Sequence, residues 1–158
     1  TRFLFEYLQE PLRALEELKR IVKPGGKVVV ADLDGNCVFH YPFENGFMMR
    51  LERLISILKD KAGFDPHVGG KLHNYFYEVG FKEIKVDILP YHCICGAPDK
   101  KTFLLWQEKI RILKINFENF GKAQYEENKH FFDEFLEFLK RPDTTTYSVI
   151  FIVQALKS

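Results

Sequence analysis

Long apolar runs are missing from this chain, and with them any segment of the ~20 residues needed to span a bilayer. Residue 1 is not followed by the basic, apolar and small-residue pattern of a secretory leader, so a cytoplasmic address is expected. Charge of one sign is equally scarce, with 23 Lys and Arg against 22 Asp and Glu and a formal net charge of +1. That balance argues against a dominant electrostatic footprint for nucleic acid or an anionic membrane. Cysteine is limited to Cys37, Cys93 and Cys95. The last two stand one residue apart, poor geometry for a mutual disulfide, and reduced thiols are expected. The cluster His92-Cys93-x-Cys95 would need recruits such as Cys37 and His40 to hold zinc, so the expectation is no metal and a strand-end group of buried thiols. The glycines form no G-x-G-x-x-G, and none follows a strand while opening a helix. A loop that cradles a nucleotide phosphate is therefore absent. The chain also contains no internal repeat and no low-complexity linker.

What is present is an ordinary globular composition, 46% apolar and 28% charged, with 16 phenylalanines that fall mostly on the inner faces of helical patterns. Residues 1–158 are expected to form one domain, long enough to bury roughly 70% of the unfolded surface. The most informative run is Arg20–Asp32. Leu12, Leu15, Leu18 and Val22 recur at helical spacing after Glu10-Pro11, and Lys23-Pro24-Gly25-Gly26 stops the helix. Proline disfavours helical geometry at the residue before it, and the glycines permit the reversal into Val28–Ala31. That wholly apolar run predicts a strand buried on both faces.

Further along, Gly35-Asn36 predicts an irregular stretch through His40-Tyr41-Pro42. A helix carrying Phe47, Leu51, Leu54, Ile55 and Leu58 follows and is closed by Gly63. A second short helix from Asp65-Pro66 has Leu72, Tyr75, Phe76 and Val79 inward, with Gly80 as its left-handed cap. Lys82–Leu89 alternates as a half-buried strand near a sheet edge, with Ile84, Val86 and Ile88 on one face, until Pro90 interrupts it. Two aromatic helices are expected within about 98–142, the first carrying Phe103, Trp106, Ile110 and Leu113. Tyr147–Leu156 has the continuous β-branched run of a central strand.

Pro11-Leu-x-Ala-Leu-x-Glu-Leu-x-Arg20 with the Lys-Pro-Gly-Gly turn resembles the segment before the fifth strand of class I S-adenosylmethionine-dependent methyltransferases, most closely the ubiquinone/menaquinone-biosynthesis type. Asp65-Pro66-His-Val-Gly69-Gly70-Lys-Leu72, leading through Glu78-Val-Gly80-Phe81 into Ile84-Lys-Val86, resembles the helix, glycine and sixth strand of the same enzymes. The resemblance implies the C-terminal half of a Rossmann-like α/β sheet, with a final antiparallel strand between the fifth and sixth and a two-helix insertion. The family's glycine-rich loop and its ribose-binding acid would lie upstream of these motifs. It implies, too, a transferase that moves a methyl group from S-adenosylmethionine to a small-molecule acceptor, in a longer protein of which this segment alone would be inactive.

By the same resemblance Arg2, Phe3 and Tyr7 border the methionine part of the cofactor, where an aromatic face would attract the sulfonium. The simpler reading makes Phe3 and Tyr7 packing residues at a helix start. Ligands of open α/β sheets bind beyond the carboxyl ends of parallel strands, which turns attention to Asp32-Leu33-Asp34-Gly35-Asn36. Asp32, Asp34 and His40 are the candidates for taking a proton from the acceptor, and Asn36, Tyr41 and Trp106 for binding it. The alternative makes Asp32 a cap for a neighbouring loop or helix and His40 a polar surface residue. The fourth strand is expected to be missing, leaving the Val28–Ala31 edge open for a homodimer. Two other function classes stand beside the enzyme: a non-catalytic small-molecule binding module, and an interaction protein built on an exposed sheet edge.

Overall fold

The structure is a computed structural model that describes residues 1–42 and 44–157, the side chains of Cys37 and Asn45 excepted. Its elements in chain order are a 3-10 turn Phe5–Tyr7, helix α1 Pro11–Ile21, strand β1 Lys27–Tyr41, helices α2 Asn45–Ala62 and α3 Val68–Glu78, strand β2 Lys82–Cys95, helices α4 Lys100–Phe120 and α5 Lys122–Lys140, and strand β3 Thr145–Leu156. The class is mixed α/β. The sheet has the order β1-β3-β2, so the last strand inserts between the other two, as expected. Gly25 N–H donates to Lys157 O and Gly96 N–H to Thr144 O, both at 2.8 Å, which ties the start of β1 to the end of β3 and the end of β2 to the start of β3. Both pairings are antiparallel.

Two compact units make up the chain. One comprises Thr1–Phe39, Ile57–His92 and Tyr147–Ser158; the other comprises His40–Ser56 and Cys93–Thr146. The core of the first gathers Phe5, Leu15, Val28, Val30, Val68, Leu72, Phe76, Phe81 and Val153. Pro11 opens α1 at a position where a missing N–H costs nothing, and Leu15 at its centre is fully buried. In the second unit α4 and α5 pack through Trp106 against Phe135 and Phe117 against Phe132, with ring centroids 5.6 and 5.3 Å apart. Asp99 caps α4 by accepting the Thr102 N–H at 2.8 Å.

Several expectations are corrected. The stretch from Gly35 to Tyr41 is strand rather than loop, because Gly35 takes φ +71° and bends β1 without ending it. Val29 is 41% exposed, so Val28–Ala31 is buried on one face only. Pro90 does not stop β2, which runs to Cys95; as an edge strand it can leave the proline's missing donor outside the ladder. The face of β2 that carries Val86 and Ile88 is exposed rather than half-buried. Cys93 and Cys95 are exposed, not buried, with their sulfurs 3.9 Å apart, and Cys37 lies outside the described side chains.

The edge of β1 is not open. Ala31 N–H donates to Thr1 O at 3.0 Å and Phe3 N–H to Ala31 O at 2.9 Å, a parallel bridge that puts residues 1–3 where a fourth strand would end. Further along, Leu33 N–H donates to the Asp32 carboxylate and Gly35 N–H to Pro66 O. With these backbone donors satisfied within the chain, the edge lacks the free donors that strand addition requires at those positions. A homodimer through this edge would have to displace residues 1–3 at Ala31.

Candidate functional site

The polar groups of the first unit converge on the stretch of β1 from Asp32 to Asn36. Asp32 is fully buried, and its carboxylate is surrounded by backbone donors: Oδ2 accepts from Leu4 N–H at 3.0 Å and Phe5 N–H at 2.7 Å, and Oδ1 from Leu33 N–H at 3.0 Å. Burial pushes this carboxyl above its ordinary value, against the opposing pull of the N–H groups of Leu33, Phe5, Leu4 and Glu6. The side chain caps the Phe5–Tyr7 turn. Of the two readings the sequence offers for Asp32, this geometry matches the cap.

Asp34 lies two residues along on the same face of the strand. Its Oδ2 accepts the Gly70 N–H at 2.7 Å in the first turn of α3, and its Oδ1 stands 3.5 Å from Nδ1 of His67. The close approach of α3 to β1 explains the Gly69-Gly70 pair. A Cβ on Gly69 would lie 2.9 Å from Leu33 O, and one on Gly70 would lie 3.0 Å from Asp34 Oδ2. His67 is half-exposed, and its ring lies 6.0 Å from that of Phe39, which in turn packs 5.2 Å from Tyr147.

Asn36 is buried and donates through Nδ2 to Glu6 Oε2 at 2.8 Å; Glu6 itself is 2% exposed. This buried amide–carboxylate pair unites the 3-10 turn with β1. Glu6 and His67 are missed by the sequence reasoning. The signal for His67 is its place beside Asp65-Pro66 and ahead of two glycines, but nothing in one dimension says that it reaches Asp34.

The other nominated residues are placed differently. His40 belongs to the second unit, 2% exposed, with Nδ1 2.8 Å from Thr146 Oγ1 and its ring edge-on to Phe47, Phe135 and Phe138. It is not the polar surface residue of the alternative reading. Tyr41 is 61% exposed, and Trp106 is buried with Lys109 4.5 Å above its ring. Asn36 and Trp106 thus fall in separate units.

Among the three residues nominated for the cofactor, Phe3 packs 5.6 Å from Tyr91 and carries the Arg2 guanidinium 4.5 Å from its ring centre. Tyr7 is half-exposed beside Phe64, at 5.8 Å. A sulfonium at Phe3 would have to compete with a cation already seated there. With Arg2 over its face, Phe3 as placed does not offer an open aromatic ring to a sulfonium. Among the described residues no group of three or more His, Cys, Asp or Glu side chains could hold a metal, and no helix is long and apolar enough to cross a membrane.

No family model matches the chain. Over 77 residues it is 34% identical to a protein of Schizosaccharomyces pombe described as uncharacterized methyltransferase C1B3.06c, an alignment covering 48% of this chain and 26% of that relative. The alignment spans about a quarter of the length of the curated relative it matches. Similar solved structures include phosphoethanolamine N-methyltransferase 2 of Haemonchus contortus in complex with S-adenosyl-L-methionine, at 17% identity and TM-score 0.46, covering 99% of this chain and 32% of that one. Another is a putative methyltransferase of Bacillus halodurans, at 15% identity and TM-score 0.46, covering 99% and 62%.

Proposed function

We propose that this chain forms the C-terminal part of an S-adenosylmethionine-dependent methyltransferase acting on a small molecule, and that the segment alone is inactive. The observation that carries the reading is the 34% identity over 77 residues to a methyltransferase. It agrees with the family motifs around Lys23-Pro24-Gly25-Gly26 and Gly69-Gly70, and with a final strand inserted between the two before it. The chain does not itself supply a cofactor cradle, so the methyl donor is bound by the longer protein.

Within this chain Asp34 and His67 are the groups best arranged to handle a proton. Asp34 is held from behind by the Gly70 N–H and stands beside a half-exposed imidazole. His67 stands 3.5 Å from that carboxylate and is the imidazole placed to accept a proton from an acceptor hydroxyl or amine. Asp32 is a positioning residue, since its oxygens hold Leu4 and Phe5 in the segment nominated for the cofactor. Asn36, through Glu6, fixes that same segment and offers the acceptor a polar floor.

The test uses the full-length protein with S-adenosylmethionine labelled on the methyl group and a small-molecule extract as acceptor pool. Label appearing in the small-molecule fraction is the expected result. His67→Gln should slow that transfer at least tenfold while leaving donor binding unchanged, in line with the ~10²–10⁴-fold contribution of a positioned acid–base group. Absence of transfer together with absence of donor binding overturns the reading. Label confined to protein or nucleic acid overturns the small-molecule part.

A further inference from the structure

Strand β2 forms one edge of the sheet, paired to β3 alone. Every second backbone N–H and C=O of such a strand faces away from its neighbour, toward the place of a further strand. From Lys85 to Pro90 the side chains are exposed on both faces, Val86 at 37% and Ile88 at 55%. Ile84 shares a face with these two and packs against the core of the first unit, so an apolar row runs from that core into solvent. Both ends of the regular stretch are marked. Glu83 takes φ +51° and leaves extended geometry, and Pro90 has no N–H to give.

The stretch between those ends, Ile84-Lys85-Val86-Asp87-Ile88, is complementary to itself when reversed. With two copies of β2 antiparallel about a twofold axis through Val86, Val86 meets Val86, each Ile84 meets an Ile88, and each Lys85 meets an Asp87. Opposed residues share a face, which gives a cluster of isoleucine and valine on one side of the sheet and two opposite-charge pairs on the other. Each exposed Ile88 comes to rest against a partner's Ile84, beside that copy's core. The match ends where Glu83 would oppose Leu89, and there the left-handed geometry of Glu83 has already broken the strand. Other registers fail. A slip of two residues sets Lys85 against Lys85 or Asp87 against Asp87, and a slip of one sets charged side chains against apolar ones. Charges on an edge commonly keep strands off, but this pair admits one partner in one register.

We infer that residues 84–88 of β2 join two copies of the protein edge to edge, so that two three-stranded sheets continue as one. The inference does not depend on the methyl-transfer reading. It also puts self-association at the opposite edge of the sheet from β1, where residues 1–3 are already bonded to Ala31.

The test is sedimentation of the full-length protein over a concentration series, beside Lys85→Asp, Asp87→Lys, an equimolar mixture of the two, and a double variant carrying both changes. The unaltered protein is expected to rise toward twice its single-copy mass, with amide exchange across residues 84–88 slowing as it does. Each single variant sets like charges opposite one another at both contacts, and its dissociation constant should rise about tenfold or more with its far-UV circular dichroism unchanged. The mixture and the double variant restore opposite charges at both contacts and should recover the dimer. A protein that stays single at all concentrations overturns the inference, its edge then free or taken by another segment of the chain. So does a dimer that leaves 84–88 unprotected or that the single variants do not weaken, and so do a mixture and a double variant no more associated than the single variants.

Discussion

Asp32 Oδ2 accepts the Phe5 N–H at 2.7 Å across 27 positions of the chain, and the same oxygen holds the Leu4 N–H at 3.0 Å. Removing the carboxylate strands buried donors, each of which costs roughly 1–3 kcal/mol without a partner. Asp32→Ala is therefore expected to lower unfolding free energy by ~3 kcal/mol, measured by urea titration. Asp32→Asn keeps one acceptor oxygen and should lose less. Equal loss in the two variants would mean that the oxygens do not act as a cap.

Gly80 has φ +79° and closes α3, where Lys19 Nζ donates to both Val79 O and Gly80 O. A Cβ there would stand 3.3 Å from that ammonium, and a β-branched residue resists left-handed geometry by ~1–2 kcal/mol. Gly80→Val should lower the melting midpoint by several degrees in differential scanning fluorimetry. An unchanged midpoint contradicts the cap.

His40 and Thr146 share a hydrogen bond in an otherwise aromatic surrounding. Thr146→Val removes this bond, and a destabilisation of ~1 kcal/mol or more is expected from the loss of a buried hydrogen bond. A double-mutant cycle with His40→Phe should reveal coupling of ~1 kcal/mol or more, because the two changes remove opposite sides of one bond. Additive losses would show that the bond contributes nothing.

Asp65 offers a pH test with a definite sign. Burial pushes its carboxyl up, but the bond from Lys71, the His67 N–H and the charges of Lys71 and Lys59 bring it below its ordinary 3.8. The folded state then binds fewer protons than the unfolded chain in that window, so the stabilisation is present above about pH 4 and fades as the pH falls through the folded value. Asp65→Asn should destabilise the protein at pH 7 and converge on the parent at strongly acid pH. A constant difference across the range would show that the carboxylate's charge is not the cause.

Local punctuation carried much of the fold into the sequence. Pro11, Gly63, Gly80, Asp99 and Arg141-Pro142 each mark a helix end at or within a residue or two of where it occurs, because caps and breakers act over a few neighbouring residues. Strand ends were harder to read. Gly35 and Pro90 look like terminators, yet a left-handed glycine inside β1 and an edge position absorb them, and both facts depend on what pairs alongside. The nominations of Asp32 and Asp34 fell on polar groups that do converge. Their partners Phe5, Gly70 and His67 lie up to 36 positions away, and no local pattern announces a backbone N–H as a partner. The surroundings of His40 were not legible, because a histidine after a supposed loop gives no sign of the three phenylalanines from distant helices that enclose it.

On the proposal above, S-adenosylmethionine is bound by a longer methyltransferase of which this chain is a part. Isothermal titration of S-adenosylmethionine into the full-length protein and into residues 1–158 alone tests it most directly. Saturable one-to-one binding by the full-length protein and no heat of binding by the segment is the predicted result. A full-length protein that binds no S-adenosylmethionine, or a segment that binds it as tightly as the whole, would contradict the claim.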